Sequence, residues 1–299
     1  MNATSPHAPS VLHTTAQGTD QHPFAAATDS ETATNPAISA LLILGLVLTA
    51  LIGAPQQVVQ PDNIKSVAAS VVVAAALALW AWRLEKSSVV RWTPLLLVPF
   101  GLSAFAFLSA TWSPLATAAS EGVRWFMMGT IMFLALNAMG RESFGSMARA
   151  AHWCALLLSL LALAEFWLGF SWFPTDAPPA ANFGNRNFFA EFIAVVLPFS
   201  VWRLLTRETP NKAAMMGLGL GVIMVALMST GTRAGLLSAA VSIPAVVLLA
   251  WLGGARYEAA RIRPAIALAG LAPALLTVLA LSWLPTSNGT IMNEGRGMT

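Results

Sequence analysis

The residues of this chain best suited to chemistry are arginines at the edges of long apolar runs. Arg233 lies in MSTGTRAGLL, residues 228–237, between two such runs with little room to turn. A guanidinium presents a planar fork of donors that matches a phosphate or carboxylate bidentately. Ser229, Thr230 and Thr232 add hydroxyls. A helix starting beside Arg233 would add its unpaired N–H groups and a dipole that favours an anion. Arg186 stands in the same relation to the next upstream run, in ANFGNRNFFAEF, residues 181–192. There Asn185 or Asn187 can cap the first turn, Gly184 permits a tight entry, and Glu191 follows about one turn later. Arg296 stands among glycines in NEGRGMT. Three arginines with little compensating acid suit a phosphate or diphosphate, with Asn187, Glu191 and Thr232 in support. The competing reading of Arg233 is a side chain that snorkels to lipid headgroups.

The elements that must position these groups follow from composition. The chain has 299 residues, 57% hydrophobic and 10% charged, against roughly 25% charged in ordinary soluble domains. Nine apolar segments approach the ~20 residues a helix needs to cross a bilayer. They lie near 37–54, 64–82, 93–112, 121–139, 150–170, 187–205, 213–230, 234–252 and 265–284. The expected fold is therefore an all-α polytopic bundle over 37–284, preceded by a disordered tail at 1–36 and followed by the start of a loop at 285–299. The tail is rich in Ala, Thr, Ser and Pro, without Lys or Arg, a composition that buries too little to fold. Its His7, His13 and His22 are irregularly spaced and suggest no metal site.

Orientation follows from the basic residues. Arg83, Lys86 and Arg91 fall in one connection, Arg141 and Arg149 in another, Arg203, Arg207 and Lys212 in a third, and Arg256, Arg261 and Arg263 in a fourth. These are alternate connections, so all lie on one side, read as cytoplasmic. The amino terminus is then inside, and residues 285–299 outside. Tryptophans near both sets of ends, Trp80 and Trp202 on one side and Trp112 and Trp172 on the other, agree with that reading. It puts Arg186, Arg233 and Arg296 together on the outer face. Glu165, Glu191, Arg124 and Arg186 lie in or at spans, where ionisable groups mark a pathway or an ion pair. For Glu121 and Arg124, three residues apart, a mutual pair is expected. Cys154 is the single cysteine and reads as a buried structural thiol. No phosphate loop, strand-linked GxGxxG or acidic pair for a divalent ion is present, which argues against a nucleotide. Nucleic acid is not expected either.

At FGNRNFFAEF and STGTRAGLL, and more weakly at SATWSP, the chain resembles the O-antigen ligase and O-antigen polymerase superfamily of bacterial envelope glycosyltransferases, over roughly residues 90–299. The resemblance implies an inner-membrane enzyme that takes a glycan from an undecaprenyl-diphosphate carrier at its periplasmic face. The acceptor hydroxyl would belong to lipid A core, another glycan or a protein. It also implies direct displacement with inversion, no metal and no cofactor. Arg233 matches the family's arginine at the start of the corresponding helix, and Arg296 the second, at the start of a large periplasmic loop. A histidine on that loop would assist the acceptor. The chain departs from the pattern by ending at Thr299, where the loop begins. Of its histidines only His152 lies beyond the tail, at the inner end of the fifth span. The chain is therefore expected to be the donor-binding, amino-terminal part of such an enzyme. A transporter of an anionic or lipid-linked solute and a non-catalytic membrane subunit are the rival readings. Transport would require polar residues through the span centres, which are largely Ala, Leu and Val.

Overall fold

A computed structural model of the chain describes residues 35–299 except 54–60, 85–89, 170–171, 176–177, 207–208, 255–263, 287–288 and 291–299. The tail, apart from its last two residues, and Arg296 lie outside the described residues. Within them the chain forms α1 (Pro36–Leu51), α2 (Pro61–Trp82), α3 (Leu97–Leu108), α4 (Leu115–Ala138), α5 (Arg141–Leu168), α6 (Arg186–Leu205), α7 (Pro210–Ser229), α8 (Arg233–Gly254) and α9 (Pro264–Ser282). Beyond α9, Pro285 and Thr286 pair antiparallel with Thr290 and Gly289. Each expected apolar run became a helix, and the architecture is all-α and polytopic.

Among the described residues, seven stretches are long and apolar enough to cross a bilayer: Asn63–Trp82, Pro94–Thr111, Glu142–Leu168, Arg186–Leu205, Pro210–Ser229, Arg233–Leu252 and Ala265–Ser282. The third expected span is α3 extended by a 3₁₀ turn at either end, Pro94–Leu96 and Ser109–Thr111. α1 is apolar but shorter, at 16 residues, and α4 carries Glu121 and Arg124 in its first half. The outward side chains follow the same logic. Leu237, Leu249 and Leu276 are 67%, 67% and 66% exposed, an arrangement that water would penalise and acyl chains reward.

Two helices start well before their apolar runs. α4 begins at Leu115 rather than 121, and α5 at Arg141 rather than 150. Apolarity marks what sits in hydrocarbon, whereas the helix continues wherever its residues favour it. RESFGSMARA has several good helix formers, and Glu142 in its first turn is favoured by the dipole. The expected connection at 140–149 is thus helix from 141 on, which puts Arg149 on α5.

Among the described residues, basic residues of two of the expected connections bond to backbone or side chains at neighbouring helix ends. The Asn35 side chain caps α1 by accepting from the N–H groups of Ala37 and Ile38 at 3.2 and 3.3 Å, while its own N–H donates to Ala138 O at the end of α4. Arg83, past the end of α2, donates to Asn35 Oδ1 at 3.2 Å. The Arg91 N–H donates to Asn137 Oδ1 at 2.7 Å. Arg203, near the end of α6, donates to Gly145 O at the start of α5 at 2.6 Å.

The main core lies among α5, α6 and α7, where Phe189, Ile193, Leu197, Leu204, Ile223 and Leu227 are wholly buried. Cys154 belongs to it as a buried free thiol. A smaller cluster of Ile38, Leu42, Ala76, Leu134 and Ala138 joins α1, α2 and α4.

Candidate functional site

α6 and α8 stand before and after the reverse-running α7 in the chain and pack directly on each other, so their amino-terminal ends lie at the same end of the bundle, opposite the α6–α7 connection. Each begins with an arginine, Arg186 and Arg233. Gly235 explains how closely they approach. A Cβ there would meet Ala190 Cβ on α6 at 3.1 Å and Leu227 Cδ1 on α7 at 3.0 Å, so a larger residue would push α8 away.

The α7–α8 connection is built from its own hydroxyls. Thr230 is buried and donates to Leu227 O at 2.7 Å. Its Oγ1 also accepts from the Thr232 N–H at 3.2 Å. Gly231 takes the left-handed conformation, φ 63°, that turns the chain. The entry to α6 uses the same devices. Gly184 has φ 69°, and the Asn185 side chain caps the helix by accepting from the Asn187 N–H at 2.8 Å. Of the two candidate caps, Asn185 is therefore the one used. That leaves the Asn187 amide oxygen to accept from Thr232 Oγ1 at 3.2 Å, which ties one helix start to the other across 45 positions of chain. Arg186 is half-buried and Arg233 exposed beside this link. Replacing Thr232 by valine removes the donor and is expected to cost about 1 kcal/mol or less, read as a small fall in thermal unfolding temperature that serine restores.

Glu191 stands apart from the link. It is exposed, on the same stripe of α6 as the exposed Phe188 and Val195. Glu121 and Arg124 form the expected pair at 3.2 Å, with Arg124 exposed and Glu121 half-buried.

Glu165 differs from the ion-pair alternative. It is buried, and its Oε2 accepts from the backbone N–H groups of Ala180 and Ala181 at 2.9 and 3.0 Å. Ala181 has φ 50°, a left-handed conformation costing a non-glycine residue roughly 1–2 kcal/mol, and the carboxylate is what holds its N–H. Asn182, next in sequence, donates from Nδ2 to Ala50 O at 2.8 Å and Ile52 O at 3.0 Å. Lys65 on α2 donates to Thr49 O at 3.0 Å and Ala50 O at 3.2 Å, and lies 3.9 Å over the Phe183 ring. Carbonyls at the end of a helix have no partner within it. Here Lys65 and Asn182 supply partners for those of α1. The loop 180–185 is thereby fastened to α5 by Glu165 and to α1 by Asn182, and it delivers Arg186 to its place. Lys65 and Asn182 were not singled out from the sequence. The available signal was one lysine inside an otherwise apolar run, with no indication of which backbone it would meet.

Fold and site together define a multi-pass helical membrane protein with two parallel, arginine-headed helix starts joined at one end. Compared with known proteins, the chain matches no family model, no curated protein and no solved structure.

Proposed function

We propose that this end of the bundle binds the diphosphate of an undecaprenyl-diphosphate-linked glycan, and that the protein acts in transfer of that glycan to an acceptor hydroxyl of lipid A core, another glycan or a protein. The observation that carries the reading is the Thr232–Asn187 hydrogen bond. It sets two helix starts and their arginines side by side, so that helix dipoles, first-turn N–H groups and guanidinium donors converge where an anion at the membrane surface would lie. By the charge bias of the connections this is the outer, periplasmic face of a bacterial inner membrane.

In the reaction proposed, the acceptor oxygen bonds to the anomeric carbon while the bond from that carbon to the diphosphate breaks, with inversion. The electron pair leaves with the diphosphate, and the arginines offset the charge that develops there. Arg233 and Arg186 would hold the diphosphate, Arg296 would add a second clamp, and Asn187 and Thr232 would support them. His152 does not serve as base here: it is buried near the middle of α5, with Nδ1 3.0 Å from Ser200 Oγ of α6. The buried centre of α5–α7 also supports binding over transport, since Ala155, Leu158, Ala162, Ile193, Leu197 and Ile223 line it.

The test is binding of undecaprenyl diphosphate to the full chain in detergent. Arg233→Ala is expected to weaken it about ten- to a hundredfold, whereas Arg124→Ala leaves it unchanged. Equal affinity in all three proteins rejects the site. In cells, loss of glycan transfer by Arg233→Ala at normal protein level excludes a non-catalytic subunit.

A further inference from the structure

Toward the opposite end of these helices, beside the α6–α7 connection, a cleft of about 330 Å³ opens between α5, α6 and α7. Its polar rim is Arg149 from α5, Arg203 from α6 and Asn211 and Lys212 from the first turn of α7; its apolar wall includes Trp153 and Met215. Among the described residues the lining holds three cations, Arg149, Arg203 and Lys212, and no carboxylate. An anion seated there would offset that concentration of like charge.

The cleft is held in shape from within. His152 lies in its floor, only 4% exposed, with Nδ1 3.0 Å from the wholly buried Ser200 Oγ of α6. On α7, a Cβ at Gly219 would stand 3.2 Å from His152 Nε2, tighter than an ordinary contact, so glycine leaves the imidazole its room. Arg203 is half-buried and fixed across the helix pair by its 2.6 Å bond to Gly145 O. Thr209 precedes α7 without a side-chain cap, so the first-turn N–H groups of that helix face the rim as further donors.

We infer that this cleft binds an anionic phospholipid of the adjacent leaflet, with the phosphodiester at Arg149, Arg203 and Lys212 and the acyl chains along Trp153 and Met215. The apolar wall selects an amphiphile over a free anion. Trp153 and Met215 are 60% and 70% exposed on the flank of the bundle, so the groove leads straight to the acyl layer. Basic pockets between membrane helices recognise anionic headgroups in this way. A neighbouring cleft of about 380 Å³, lined by Phe144, Phe199, Trp202, Val246 and Leu249 among others, has no cation among the described residues to select a headgroup. The site is separate from the diphosphate site and does not depend on it.

The experiment is native mass spectrometry of the full chain, delipidated and titrated with phosphatidylglycerol or phosphatidylcholine, and with inorganic phosphate as competitor. Phosphatidylglycerol is expected to bind at least about tenfold more tightly than phosphatidylcholine, and Arg149→Gln with Lys212→Gln to remove most of that preference. Both side chains are exposed, so the double variant leaves the core intact. Inorganic phosphate is expected not to displace the lipid. Equal binding of the two lipids, or a preference unchanged in the double variant, overturns the inference. Displacement by inorganic phosphate overturns its lipid half and leaves a soluble anion as the ligand.

Discussion

Replacing Glu165 by alanine is expected to destabilise the protein by about 2–5 kcal/mol, because two buried N–H groups lose their acceptor at roughly 1–3 kcal/mol each. Ala180 and Ala181 are wholly buried, so solvent cannot take over. Glutamine is the informative comparison. Its amide oxygen has two lone pairs and can accept from both N–H groups as Oε2 does now, so Glu165→Gln is expected to retain most of the stability that alanine loses. Thermal unfolding in detergent separates the two. If alanine unfolds at the wild-type temperature, the carboxylate does not hold the loop. The loop leads through Asn185 to Arg186, so the alanine variant is also expected to bind undecaprenyl diphosphate more weakly, although Glu165 is assigned no contact with the ligand.

Glu165 also shows what the sequence carried and what it did not. A carboxylate inside an apolar run is costly, and that cost identified it from sequence alone. The sequence left two readings, a pathway residue or an ion pair, because side chains are what a sequence displays. The actual partners are backbone N–H groups of two alanines fifteen and sixteen residues away, and any residue but proline could have supplied them. The helices were legible for the opposite reason: a bilayer demands long apolar runs whatever their neighbours do. Their starts were less so, since α5 extends beyond the hydrocarbon through residues that are polar yet favour helix. Asn185 and Asn187 were both visible as caps from their place before an apolar run. The helix starts at Arg186, so Asn185 caps, and Asn187 in the first turn meets Thr232 of another hairpin instead. Lys65 stayed hidden because a lone lysine near a span end says nothing about the helix terminus it will reach.

The second large effect is expected at Gly217, where leucine should cost at least about 3 kcal/mol or prevent assembly of the bundle. Gly217 and Gly221 in GLGLG are four apart and share one face of α7. That face meets Gly270 and Ala274 of α9, also four apart. A Cβ on Gly217 would fall on the carbonyl oxygen of Gly270, and one on Gly221 would stand 2.6 Å from Thr277 Cβ and 2.7 Å from Ala274 O. These are mainly backbone obstacles, which cannot rotate aside as a side chain can. Close backbone approach through small residues is how helices associate in lipid, where apolar burial offers no preference for protein over acyl chain. Even Gly217→Ala is therefore expected to be destabilising, whereas Leu218→Ala, at an exposed neighbour, should be nearly neutral. Unfolding temperature and monodispersity in detergent provide the readout, and a stable, monodisperse Gly217→Leu protein would show that α7 and α9 do not pack here. α7 also links the two ends of the molecule: its last residues lead into the Arg233 hairpin, and its first turn lines the basic cleft. Displacing it should weaken undecaprenyl diphosphate and phosphatidylglycerol together. Arg233→Ala should weaken only the first, and the Arg149→Gln, Lys212→Gln pair only the second, which distinguishes two local sites from one general attraction of a basic protein for anionic lipid.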